Sequence, residues 1–150
     1  MPMWNVPMYG QRTPQVCWEA CAHMMFDWRH AGNPAMNAGY AAMLAGIPLR
    51  GLTHQEMNLV YARLGLRALQ HPQGQNVRHA LQWSPTIVTW TDQVLGHAMV
   101  IRGRANGRYV VLNPCAVQEV DENRNTCAAG ELNFAEAEVE RKLGDFVWYW

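Results

Sequence analysis

The chain has 150 residues and a formal net charge of +0, which removes the general electrostatic case for nucleic acid or an anionic membrane surface as partner. With 49% hydrophobic and 16% charged residues it can bury a sizeable core, and its length fits one domain spanning residues 1–150. The opening MPMWNVPMYG lacks the charged start and apolar run of a signal peptide, and no stretch is long enough to span a bilayer. The expectation is a soluble protein that either stays where it is made, is exported without a cleaved signal, or is cut from a larger one.

Thr13-Pro14 reads as a helix start, a capping hydroxyl followed by proline at the first helical position. It predicts a helix from Pro14 to about Ala31 that stops at Gly32, with Asn33-Pro34 beyond. Cys17, Ala20, Cys21, Met24, Met25 and Trp28 share one face at helical spacing, which marks this as the central buried helix. Cys17 falls in its first turns, where the helix dipole favours a thiolate, whereas Cys21 points with the apolar stripe and is expected to be buried and inert. A second helix is expected over 35–45. A third starts at Thr53, with Glu56 three residues on as a capping box, and ends near Gly65. A short fourth is expected over 76–83.

After Pro85 the texture changes. Residues 86–90, 98–102 and 108–112 are rich in β-branched and aromatic side chains and read as strands, with Ala105-Asn106-Gly107 as a hairpin turn. Val117 to Val120 is a further candidate strand, Asn133 to Leu143 reads as a helix, and Asp145 to Trp150 reads as a closing strand. Helices come first and an antiparallel sheet second, which is an α+β layout with a cleft where the two halves meet.

The chemistry-bearing residues fall on that cleft. A thiolate nucleophile needs a base for its proton, a group that orients the base, and a donor for the developing oxyanion. Cys17, His97, Asn113 and Gln11 supply these four parts, Gln11 standing six residues before the cysteine. The combination points to a thiol hydrolase, foremost a cysteine protease. Each residue also has a plainer reading. Cys17 could be a buried structural cysteine, His97 a polar strand-edge residue, Asn113 an ordinary Asn-Pro turn and Gln11 a polar loop residue. The other histidines, His23, His30, His54, His71 and His79, lie in helical or loop contexts, so His97 is the base by position. Trp18, beside the nucleophile, either packs under the cleft or enters the core. With Gly96, which precedes His97, it is a candidate substrate-binding residue.

The four cysteines raise zinc as a rival, but no CxxC pair and no HxxxH pair is present, so no metal site is expected. A disulfide between Cys115 and Cys127 is open in an oxidising compartment.

QVCWEAC resembles the papain-like cysteine peptidase signature, in which a Gln precedes the Cys by six and a Trp follows it. The likeness is greatest to a compact bacterial branch: the peptidase domains that clip double-glycine leader peptides in ABC exporters, and small papain-like interbacterial toxins. GLTHQEMNLVYARLGL, PTIVTW, GHAMVIRG and YVVLNP follow that branch in order, over residues 11–114. The leader peptidases usually carry Gly after the Cys and Asp before the Pro. Trp18 and Asn113 stand there in this chain, which is closer to papain and to the toxin branch.

The resemblance implies Cys17 as nucleophile, His97 as base, Asn113 as orienting residue and Gln11 as oxyanion donor, with no cofactor. It also implies a protein or peptide substrate, with small residues such as Gly-Gly before the cut. As a toxin or effector the chain would act in the bacterial cytoplasm or be delivered by a signal-peptide-independent system into a target cell, and a cognate immunity protein would plug its cleft. Two other classes stay open: a Cys–His cell-wall amidase, deamidase or transglutaminase, and a catalytically silent binding module on the same fold.

Overall fold

The computed structural model describes residues 2–10, 16–90, 97–114 and 130–150. The elements run α1 (Cys17–Arg29), α2 (Pro34–Met43), α3 (His54–Arg63), β1 (Arg67–Gln70), α4 (Gly74–Ala80), β2 (Thr86–Trp90), β3 (Ala98–Ala105), β4 (Arg108–Asn113), β5 (Gly130–Ala135), α5 (Glu136–Arg141) and β6 (Leu143–Tyr149). The strands form a six-stranded sheet in the order β1-β6-β2-β3-β4-β5, with every neighbouring pair antiparallel.

Helices cover both faces of this sheet. On one face Ile87, Ala98, Val100, Leu112, Phe146 and Trp148 pack against α1 and α3 through residues such as Trp18, Met25, Met57 and Tyr61. On the other, Val88, Met99, Ile101, Tyr109, Val111 and Val147 pack against Val77 and Leu81 of the α4 segment and Val139 of α5. Alternate side chains of β2, β3, β4 and β6 therefore enter different cores. This is why those strands read as continuous apolar runs rather than as an apolar–polar alternation. Each large apolar side chain buried this way stabilises the fold by roughly 1.5–3 kcal/mol.

Local signals account for several boundaries. The Thr53 hydroxyl accepts from Glu56 N–H at 3.1 Å while the Glu56 carboxylate accepts from Thr53 N–H at 3.1 Å, which completes the capping box. Asn33 caps α2, with Pro34 at its first position. Asn106 and Gly107 have φ of 54° and 72°, the double left-handed pair that a two-residue hairpin requires, and β3 and β4 close on it.

Other expectations needed correction. The central helix starts at Cys17, not Pro14, because Val16 sits outside helical geometry at φ −106°, ψ 31°. Thr13 and Pro14 lie outside the described residues. Residues 130–135 are a strand rather than part of a helix over 133–143. There Leu132 and Phe134 alternate with the exposed Glu131 and Asn133 while pairing with β4, and only 136–141 is helical. β1 was not expected, since its mostly exposed side chains carry no pattern. The closing strand, expected over 145–150, runs over Leu143–Tyr149 and lies between β1 and β2. The candidate strand at 117–120 and both Cys115 and Cys127 fall outside the described residues.

Candidate active site

Cys17 is the first residue of α1 and is 8% exposed. As the first residue of the helix it stands where the dipole is positive. The sulfur accepts from the backbone N–H of Ala98 at 3.4 Å. A donor aimed at the sulfur and a positive helix end both favour the thiolate over the thiol.

The helix start is held by its neighbours. Trp18 is 1% exposed, its indole Nε1 donates to Arg50 O at 2.8 Å, and its carbonyl accepts from the Tyr61 hydroxyl at 2.9 Å. Trp18 is therefore core, and its expected contact with substrate is corrected: it supports the helix start from beneath. One turn on, Cys21 is fully buried. Burial, then the neighbouring Cys17 and Glu19, push its thiol well above the ordinary range. A Cys held as the thiol is a poor nucleophile.

His97 lies just ahead of β3, next in chain to the Ala98 that touches the Cys17 sulfur. Its carbonyl accepts from Trp90 N–H at 3.2 Å, which pairs it to the end of β2. Asn113 is the last residue of β4, 6% exposed. His97 Nε2 donates to Asn113 Oδ1 at 2.6 Å. A side-chain carbonyl oxygen can only accept, so Nε2 carries the hydrogen and Nδ1 is the basic nitrogen of the ring. The sulfur, imidazole and amide thus gather where the start of α1 meets the ends of β3 and β4. Gln11 and Gly96 lie outside the described residues.

One group near the sulfur escaped sequence reasoning. Glu19, two residues past Cys17, is a buried carboxylate at 6% exposure. The Tyr40 hydroxyl stands 3.4 Å from both its backbone carbonyl and its Oε1. An acidic residue in a first turn reads as an exposed partner of the helix dipole, and only the packing of α2 over it reveals the burial.

A surface groove of about 310 Å³, lined by the loop after α2 and by α3, includes none of these residues. Among the described residues no three His, Cys, Asp or Glu side chains group as metal ligands, and no helix is long and apolar enough to cross a membrane.

In solved structures the fold recurs. The chain is similar to a double glycine motif protease from an AMS/PCAT transporter in complex with its leader peptide, with a TM-score of 0.63 at 14% identity, covering 98% of this chain and 93% of that one. It is similar to the peptidase domain of Streptococcus ComA, a bi-functional ABC transporter of a quorum-sensing pathway, at TM-score 0.63, 10% identity and 96% coverage of each chain. The peptidase domain of Streptococcus mutans ComA in complex with a small-molecule inhibitor matches at TM-score 0.57 and 11% identity, covering 95% of this chain and 96% of that one. No curated protein matches the sequence. The profile of the family described as papain-like cysteine protease AvrRpt2 matches residues 2–121, most of the chain. The chain therefore belongs to the papain-like cysteine protease AvrRpt2 family.

Proposed function

We propose that this protease cleaves peptide bonds with Cys17 as nucleophile, His97 as general acid and base, Asn113 as the residue that orients His97, and Gln11 with the Cys17 N–H as oxyanion donors. The observation that carries the reading is the pair of contacts at the start of β3: Ala98 N–H on the Cys17 sulfur, and His97 Nε2 on Asn113. With Nε2 committed to Asn113, Nδ1 is the nitrogen that exchanges a proton with the thiol.

The Cys17 thiolate attacks the carbonyl carbon, a C–S bond forms, and the carbonyl electrons move to oxygen, where the two donors stabilise them. The C–N bond then breaks as His97 gives its proton to the leaving amine. Water enters, His97 takes one of its protons, and the hydroxide adds to the thioester carbon. Collapse expels the Cys17 thiolate and releases the new carboxyl terminus. No metal or cofactor takes part.

The substrate is a protein or peptide, a reading supported by the leader peptide held in the AMS/PCAT transporter protease of like fold. Small residues before the cut, Gly-Gly above all, follow from the likeness to double-glycine peptidases. Delivery of the protease as a bacterial toxin or effector, with a cognate immunity protein, rests on the sequence likeness to small papain-like toxins.

The test is a survey of new N-termini in bacterial lysate treated with wild type and with Cys17→Ala. New termini made only by wild type are the expected result, and their alignment gives the cleavage motif. An identical survey from both, with cut muropeptides or released ammonia instead, would move the activity to an amidase or deamidase.

A further inference from the structure

The groove of about 310 Å³ between α3 and the loop after α2 has an apolar lining that includes Ile47, Pro48, Leu52 and Val60. Leu59, beside it on α3, is 70% exposed, and Leu49, next in chain to Pro48, is 64% exposed. Five large apolar side chains are exposed among the described residues, and two of them belong to this one face. A single exposed leucine is ordinary, whereas two beside an apolar groove mark a contact surface.

The charges on this face have a pattern of their own. Glu56 and Arg63 both line the groove. They share one face of α3 and stand about two turns, or about 10.5 Å, apart along it. Leu59 and Val60 lie midway between them. Arg50 Nη2 donates to Glu56 Oε2 at 2.7 Å. Arg63 is exposed and makes no hydrogen bond or ion pair among the described residues. The face thus runs from an acidic end, through a projecting leucine beside a groove, to a basic end.

We propose that this face is a self-association surface whose occupant is a second copy of the chain, the two α3 helices packing antiparallel about a twofold axis. A twofold contact uses the same patch on both copies, so the patch must complement itself. This one does so in charge and in shape. The antiparallel register that sets Glu56 against Arg63 of the second copy also sets Leu59 against Val60 of that copy, because both pairs share one midpoint. Each projecting Leu59 then enters the other copy's groove over Val60, and each acidic end meets a basic end. A net charge of +0 leaves no overall repulsion between copies. A peptide substrate would need the groove alone and gives no reason for Leu59 to project beside it. The lining includes none of Cys17, His97 and Asn113, so the contact is separate from the thiol site.

The experiment is sedimentation equilibrium of the full chain in reducing buffer, from about 1 to about 300 µM, a span that covers weak and moderate association. Wild type should pass from the monomer mass toward twice that mass. Leu59→Asp should raise the dimer Kd about hundredfold, as loss of a central apolar anchor does, with an unchanged melting temperature because Leu59 is exposed. Trp83→Asp, at a side chain 66% exposed and outside the groove, should leave Kd unchanged. Arg63→Glu and Glu56→Lys should each weaken association about tenfold by setting like charges together. Glu56→Lys keeps the backbone N–H that Thr53 caps, so the helix start is retained. An equimolar mixture of these two variants should recover wild-type affinity, since the mixed dimer pairs opposite charges at both ends. A wild type that stays monomeric throughout overturns the proposal. Association that survives Leu59→Asp, or that is lost in Trp83→Asp, also overturns it, because the contact then lies on another face. A mixture no tighter than either variant alone rejects the antiparallel pairing. A monomeric wild type whose KM on a cleaved peptide rises in Leu59→Asp assigns the groove to substrate instead.

Discussion

His97 Nε2 donates to Asn113 Oδ1 at 2.6 Å, although the two residues are 16 apart in sequence. They meet because β3 and β4 form a tight hairpin over Asn106-Gly107, which returns the chain so that the end of β4 lies beside the start of β3. The bond sets the tautomer of the imidazole, with the hydrogen on Nε2 and Nδ1 as the basic ring nitrogen.

Substitution at the three positions should separate their roles. Cys17→Ala should lower turnover to background with an unchanged melting temperature. His97→Ala should cost about a hundredfold to ten-thousandfold, the usual range for a general acid and base. Asn113→Ala should be milder, roughly tenfold to a hundredfold, because the base is misplaced rather than removed. Steady-state kinetics on one cleaved peptide decides this, and equal losses at His97 and Asn113 would show that Asn113 does more than orient the ring.

Alkylation should discriminate between the two described cysteines. At pH 6 iodoacetamide should label Cys17 and leave Cys21 untouched, because Cys21 is buried and held as the thiol while Cys17 sits at a helix start with a donor on its sulfur. Peptide mapping of the labelled protein reads the outcome. Equal labelling in the folded protein would contradict the burial of Cys21.

Stability should fall in alkali. Burial pushes the pKa values of Cys21 and Tyr61 well above their ordinary range. In the unfolded chain these groups ionise near about pH 8.5 and about pH 10 respectively. Above roughly pH 8.5 the folded state therefore binds more protons than the unfolded one, and the free energy of unfolding decreases as pH rises. Below that pH both states keep the proton and the effect vanishes. Urea melts from pH 7 to 10 should show the decline, and Cys21→Ala should flatten it above pH 8.5. Parallel curves for the two proteins would reject the assignment.

The start of α3 offers a test of local energetics. Thr53→Ala removes the hydroxyl that satisfies Glu56 N–H and should cost about 1 kcal/mol in a denaturant melt. Glu56 has its pKa lowered to about 2, first by the Arg50 guanidinium and then by the Thr53 N–H. Its contribution is present above the ordinary carboxylate range and is lost as pH falls toward about 2. The cost of Glu56→Gln should accordingly shrink between pH 5 and pH 2.

Much of the architecture was legible because its causes are local. The Thr53–Glu56 box, the Asn33-Pro34 cap and the Asn106-Gly107 turn depend on residues within a few positions of one another. The apolar runs at 86–90, 98–102 and 108–112 announce strands because both faces of those strands are buried. Cys17, His97 and Asn113 were singled out for thiol chemistry from patterns in the chain itself, a cysteine at a helix start and a histidine ahead of an apolar strand, and the structure sets Cys17 against Ala98 and His97 against Asn113.

What the sequence could not carry is whatever depends on partners distant in the chain. Residues 130–135 are a strand because β4 is there to pair with them, although the helix formers just after them suggest otherwise. β1 exists only as the partner of β6, and β6 lies inside the sheet because β1 and β2 flank it. Trp18 is core and Glu19 is buried because α2, α3 and Arg50 close over the start of α1. Residues 2–10 carry no periodicity, and there Trp4 packs on Trp28 and bonds Arg102 while Tyr9 stacks on His23 and bonds Asp27. Sequence alone determined which residue types were present to make a thiol site. Tertiary structure decided that the sulfur, the imidazole and the amide share one place, because strand pairing and helix packing fix distances that no local rule encodes.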